Sequence, residues 1–206
     1  MLDGWARRRI DPALDALSRV LHAAGVSANA VTLSAFAIGA GAATAIAFGH
    51  LWTGLVLILL SRLCDGLDGA VAKLAGRTDL GGYLDIVLDF AFYGMIPLAF
   101  VVLDPANNGI PGAVLLAAFY ANGASFLAFA ALAERRGMSS DARGPKSLFF
   151  TTGLAEATET IAVFLAFCLF PSVFPVLAYG FAAVTAYTTL SRIMLAYRLF
   201  GETNGT

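Results

Sequence analysis

The chain has 206 residues, 59% of them hydrophobic and 13% charged, with a mean hydropathy of +0.78 and a net charge of −1. Soluble domains carry about 25% charged residues, so the composition excludes that class and indicates an integral membrane protein. No basic run has the aromatic interleaving of a nucleic-acid surface, and nucleic acid is excluded as a partner.

A spanning helix takes about 20 mostly apolar residues. Six such stretches are predicted, over roughly 30–49, 54–74, 82–103, 111–133, 148–170 and 173–198. The expected fold is therefore an all-α integral membrane protein of six transmembrane helices preceded by an amphipathic interfacial helix. Its parts are the juxtamembrane helix over 1–27, the membrane domain over 28–200 and a polar tail over 201–206.

In the first part, Ile10, Leu14, Leu17, Val20 and Leu21 recur at helical spacing beside Trp5 and Arg7, Arg8 and Arg9, which suits a helix lying in the interface. Those charges also exclude a cleaved signal peptide. Gly25-Val26-Ser27-Ala28-Asn29 turns the chain, with Ser27 or Asn29 as cap of the first span. That span sets Ala35, Gly39, Ala43 and Ala47 every four residues, a small-residue seam for close packing.

The second and third spans carry the chemistry. Asp65 and Asp68 are i,i+3, and Asp85 and Asp89 are i,i+4, so each pair shares one helix face. An ionised carboxylate near the bilayer centre costs roughly 2.5–3.5 kcal/mol, so four together call for a compensating charge. Divalent metal suits them, since Mg²⁺ and its relatives prefer hard oxygen ligands. Two facing helices would present all four acids to one cavity, as a two-metal site handling a diphosphate requires. Gly69, Ala72 and Gly81 share these faces and leave room for a ligand. Arg62, one turn before Asp65, is placed to neutralise a carboxylate or touch phosphate, and Lys73 to donate to phosphate as a point charge.

Beyond them, Pro97 is expected to bend the third span. Arg135 through Lys146 is a basic, turn-rich loop suited to anionic headgroups or, more sharply, to a phosphorylated acceptor through Arg143 and Lys146. Glu156 and Glu159, i,i+3 in the fifth span, suit recognition of a hydroxyl- or amine-bearing acceptor, pairing with Arg192 of the last span, or a shallow solvated position. Cys64 and Cys168 are expected in opposite leaflets as unpaired apolar fillers. None of the 13 Lys and Arg residues falls in the loops around 50–53, 104–110 and 171–172. The positive-inside rule then puts both termini and the acidic cluster on the cytoplasmic side.

The aspartate segment resembles the signature of the CDP-alcohol phosphatidyltransferase family, D-x2-D-G-x2-A-R-x8-G-x3-D-x3-D. Asp65, Asp68, Gly69, Ala72, Gly81, Asp85 and Asp89 match it; Lys73 stands in place of Arg, and the gap to Gly81 is seven residues instead of eight. The resemblance implies transfer of a substituted phosphate from a CDP-alcohol, CDP-diacylglycerol foremost, to an acceptor alcohol with release of CMP, as in phospholipid biosynthesis. It further implies two Mg²⁺ or Mn²⁺ ions held by Asp65, Asp68, Asp85 and Asp89, with Asp89 also the general base. Gly69, Ala72, Lys73 and Gly81 would line the nucleotide pocket, and Arg62, Glu156, Glu159, Arg192, Arg143 and Lys146 are candidates for acceptor or phosphate contact. A homodimer in a bacterial cytoplasmic membrane, in contact with membrane lipids, is expected. The alternative is a small proton- or cation-coupled transporter with an intramembrane carboxylate cluster. A metal-dependent prenyl-diphosphate enzyme is disfavoured, because both acid pairs lie within 25 residues.

Overall fold

A computed structural model describes residues 14–138 and 157–201. Seven α-helices and one short 3₁₀ turn make up almost all of this. In chain order they are α1 (helical over 14–23), α2 (Ala28–Ala47), α3 (Leu51–Ala75), α4 (Asp79–Leu103), α5 (Pro105–Arg135), α6 (Ala157–Leu169), the 3₁₀ turn Pro171–Val173 and α7 (Phe174–Phe200).

Local signals set the boundaries. Ser27 caps α2, its Oγ accepting from the Ala30 amide at 3.3 Å, as expected. Thr78 does the same for α4 by accepting from the Gly81 amide at 3.1 Å. Between α3 and α4 the chain reverses in three residues, and Gly76 supplies the positive φ of 93° that an L side chain resists. Asp104 ends α4 and caps α5, with Pro105 at the first helical position. Two hydrogen bonds from Asn107 hold the exposed Asp104 carboxyl below the usual carboxylate range.

Packing follows small residues and aromatics. The seam of α2 buries Ala35 and Gly39, and α2 packs against both α3 and α4; these two do not pack closely on each other. Elsewhere α4 meets α5, α5 meets α7, and α3 meets α6. The core gathers toward the end of the bundle away from the aspartates, where Phe100 stacks on Phe174 at 5.1 Å and Phe167 meets Phe174 at 4.6 Å. Large apolar side chains such as Trp52, Ile110 and Val176 stay more than 70% exposed, as a lipid-facing surface requires.

Four helical segments are long and apolar enough to cross a membrane: Ala28–Ala47, Asp79–Leu103, Pro105–Arg135 and Pro171–Phe200. The other two expected spans differ for physical reasons. α3 has the length, but Arg62, Asp65, Asp68 and Lys73 all fall within it. α6 is described over 13 residues only, the rest of the expected 148–170 stretch lying outside the described residues. α4 continues as one helix through Pro97. Both cysteines are free. At the aspartate end, Leu14 of α1 lies against Gly66, and Arg136 donates to the Leu199 and Phe200 carbonyls at 2.9 and 3.1 Å, joining the ends of α5 and α7.

A methyl group added at Gly39 would stand 2.6 Å from Phe92 Cδ2 and 3.0 Å from Ser61 Oγ, whereas one added at Gly94 meets nothing within 4 Å. Gly39→Ala is therefore expected to cost about 1–3 kcal/mol by overpacking. Thermal unfolding in detergent should show a lowered midpoint for Gly39→Ala and none for Gly94→Ala.

Candidate active site

The short turn at Gly76 sends α4 back beside α3 with α2 wedged against both, so the acidic faces meet across a space. Carboxylate oxygens of Asp65, Asp68 and Asp85 all lie within 4.8 Å of one another. Asp68 is buried, Asp65 half-buried and Asp85 exposed, so the group opens outward from α3 toward the start of α4. The Thr32 hydroxyl of α2 and the Gly69 amide stand beside Asp68, whose buried Oδ2 has no hydrogen-bond partner.

Like charges at this separation repel by roughly 3 kcal/mol per pair at an effective permittivity of 20, more than an exposed ion pair returns. The donor set is all hard oxygen, one oxygen is orphaned, and a Cβ built on Gly69 meets nothing within 4 Å. These residues fit a divalent ion of the Mg²⁺ or Mn²⁺ type with a bulky ligand beside it.

Asp89 takes a different partner. Arg62 Nη1 donates to its Oδ1 at 2.6 Å and lies 3.4 Å from Asp65 Oδ2, so the guanidinium bridges α3 and α4. Nη2 donates to Ser61 Oγ at 3.2 Å, and Ser61 Oγ donates in turn to the Ala35 carbonyl of α2 at 2.7 Å. The guanidinium stacks over Phe92 at 3.9 Å, and Tyr93 lies beside Arg62 and Asp89. The carboxylate contact expected of Arg62 is thus made to both Asp89 and Asp65.

The remaining candidates separate. Ala72 is half-buried and Lys73 exposed near the end of α3. The room expected beside Gly81 is already filled: a Cβ there would stand 3.0 Å from Thr78 Oγ1 and 3.1 Å from Asn29 Oδ1, so its missing side chain serves close helix approach. Arg192 Nη1 donates to Asn122 Oδ1 at 2.9 Å, the Asn122 carbonyl at 3.1 Å and Ser125 Oγ at 2.7 Å, tying α7 to α5 rather than to Glu159. A cavity of about 160 Å³, apolar but for Ser125 and Arg192, runs between those helices. Glu159 sits in the first turn of α6 with a buried Oε2 that lacks a partner. Glu156, Arg143 and Lys146 lie outside the described residues.

Thr32, Ser61, Tyr93 and Asn122 are the residues that reading the sequence missed. Tyr93 had a usable signal, since it follows Asp89 by four positions on the same helix face. Thr32, Ser61 and Asn122 had a weaker one, as polar side chains inside otherwise apolar spans.

The chain is similar to known membrane proteins and to solved structures of the same fold. Inner membrane protein YnjF of Escherichia coli (strain K12) is 44% identical over 197 residues, 96% of each chain. Archaetidylinositol phosphate synthase of Methanothermobacter thermautotrophicus is 38% identical over 91 residues, 44% of this chain and 43% of that protein. The crystal structure of phosphatidylinositol phosphate synthase from Mycobacterium tuberculosis with CDP-DAG bound shares the fold, with a TM-score of 0.68 at 20% identity over 89% of this chain and 93% of that one. The same enzyme in complex with manganese and citrate gives 0.64 at 20% identity over 89% and 88%. The family model for CDP-alcohol phosphatidyltransferase matches residues 25–197, which include all four aspartates, and this membrane protein belongs to that family.

Proposed function

We propose that the chain transfers a substituted phosphate from a CDP-alcohol, CDP-diacylglycerol foremost, to the hydroxyl of an acceptor alcohol with release of CMP, as a step of phospholipid synthesis. The observation that carries this reading is the convergence of Asp65, Asp68 and Asp85 from two helices within 4.8 Å, beside open space at Gly69. The CDP-DAG bound to a neighbour of the same fold, and the synthase activity named for a relative, support the donor class.

Asp65, Asp68 and Asp85 would hold one Mg²⁺ or Mn²⁺ and Asp89 would join them at a second; such ions neutralise a diphosphate and its leaving CMP. Asp89, whose Oδ1 is held by Arg62 in the absence of nucleotide, offers its other oxygen to the acceptor hydroxyl. It accepts the hydroxyl proton as the acceptor oxygen attacks phosphorus in line, and CMP departs with the electrons of the broken P–O bond. No covalent enzyme intermediate is needed. Gly69, Ala72 and Lys73 line the nucleotide side, and Gly81 contributes through the close approach it permits to Asn29 and Thr78.

Six spans are proposed, α3 and α6 joining the four strongly apolar segments, with α1 at the interface. Support for cytoplasmic termini and a cytoplasmic site comes from charge. The connections at the aspartate end carry Arg77 and Arg136, while 48–50, 104 and 170 at the other end carry no Lys or Arg. A bacterial inner membrane and a homodimer complete the reading. For the acceptor, Arg136 and Arg192 already bond to protein groups, and the buried, unpartnered Glu159 oxygen favours a neutral or amine-bearing alcohol over a phosphorylated one.

Purified protein should release CMP from CDP-diacylglycerol with Mg²⁺ or Mn²⁺ and one acceptor of an alcohol panel, and lose the activity on chelation. Asp89→Asn is expected to lower turnover at least ~10²-fold with an unchanged thermal midpoint. Full turnover in that variant overturns the assignment of the base. Lys73→Ala should raise KM for the donor about tenfold, the worth of one charge-assisted hydrogen bond of about 1.5 kcal/mol; an unchanged donor KM removes Lys73 from the pocket.

A further inference from the structure

Arg62 occupies a position that a second cation would need. Its Nη1 lies between Asp89 Oδ1, at 2.6 Å, and Asp65 Oδ2, at 3.4 Å. Asp89 is the acid left outside the three-carboxylate group, and Asp65 is a member of it. The position is built. Nη2 is held by Ser61, Ser61 by the Ala35 carbonyl, the guanidinium rests on Phe92, and the side chain is only 10% exposed. A guanidinium stays protonated in a protein, so this positive charge is permanent.

Charge then sets an order of binding. Four carboxylates with Arg62 carry a net charge of −3, which one divalent ion brings to −1 and a second overshoots to +1. A surplus positive charge inside an apolar bundle is costly until an anion joins it. A diphosphate is such an anion, and the guanidinium fork it would free from Asp89 matches phosphate oxygens.

We propose that Arg62 is a built-in counter-cation that holds the second cation position between Asp65 and Asp89. The nucleotide-free protein then takes up one divalent ion, at Asp65, Asp68 and Asp85, and the second arrives with the diphosphate. This rests on the metal-dependent reading above.

Mn²⁺ binding to the purified full chain in detergent tests it, with bound ions counted per chain by electron paramagnetic resonance after dialysis with or without CDP. The wild type should bind one ion without CDP and two with it, the affinity for the second rising at least tenfold. Arg62→Gln should bind two in both conditions, and Asp89→Asn one in both. Two ions in the wild type without CDP, or one in Arg62→Gln without CDP, overturn the counter-cation. If Arg62→Gln does not fold, the wild type and Asp89→Asn decide, and two ions in Asp89→Asn with CDP overturn the placement of the second position. No Mn²⁺ taken up by the wild type in either condition overturns the metal-dependent reading itself.

Discussion

Carboxylates held within a few ångströms of one another in an apolar bundle repel, and the aspartate end of this protein is organised around that repulsion. Arg62 absorbs part of it by bridging Asp65 and Asp89. Its hold depends on the chain Arg62, Ser61, Ala35, which crosses from α3 to α2 and ends on a backbone carbonyl. Because that carbonyl belongs to α2, the charge compensation of α3 and α4 is anchored on a third helix. Asp65, Asp68 and Asp85, which Arg62 does not fully satisfy, form the group suited to a hard cation.

The placement of α2 explains why open space remains beside the acids. Its small residues let it approach α3 and α4 together: Gly39 is in tight contact with Phe92 and Ser61, and a Cβ on Gly54 would run into Ile46. With α2 taking the contact surface of both neighbours, the aspartate helices are not drawn flush against each other. The phenylalanines of α4, α6 and α7 close the opposite end instead. Dense aromatic packing therefore lies away from the acids, and open space lies beside them. α5 and α7 form a second pair, held by Arg192 on Asn122 and Ser125 and by Arg136 on the last carbonyls of α7.

The family match spans the segment that holds the four aspartates, and the structure groups three of them while Asp89 pairs with Arg62. The motif spacing puts each pair on one helix face, and the fold brings three of them to one point. The two departures from the family pattern bear on different things. Lys73 stays exposed at the end of α3, where a point charge reaches outward without needing a fixed fork. The shortened gap is taken up by the Gly76 turn and the Thr78 cap, which start α4 within three residues of the end of α3.

Hydropathy, periodicity and charge by themselves determined the membrane class, four of the apolar spans, a cap at Ser27 or Asn29, the small-residue seam and the acid pairs, because each depends on residues close in sequence and on the period of one helix. Arg62 as a neighbour of Asp65 was legible for the same reason. Its stronger partner was not: Asp89 lies 27 residues away, and only the packing of α2 against both helices decides that the guanidinium faces it. The same holds for Ser61, Thr32 and Tyr93, whose roles come from groups on neighbouring helices, and for Gly81, whose expected room is filled by Thr78 and by Asn29 from α2. Local spacing places a residue on a face, and tertiary structure decides what that face meets.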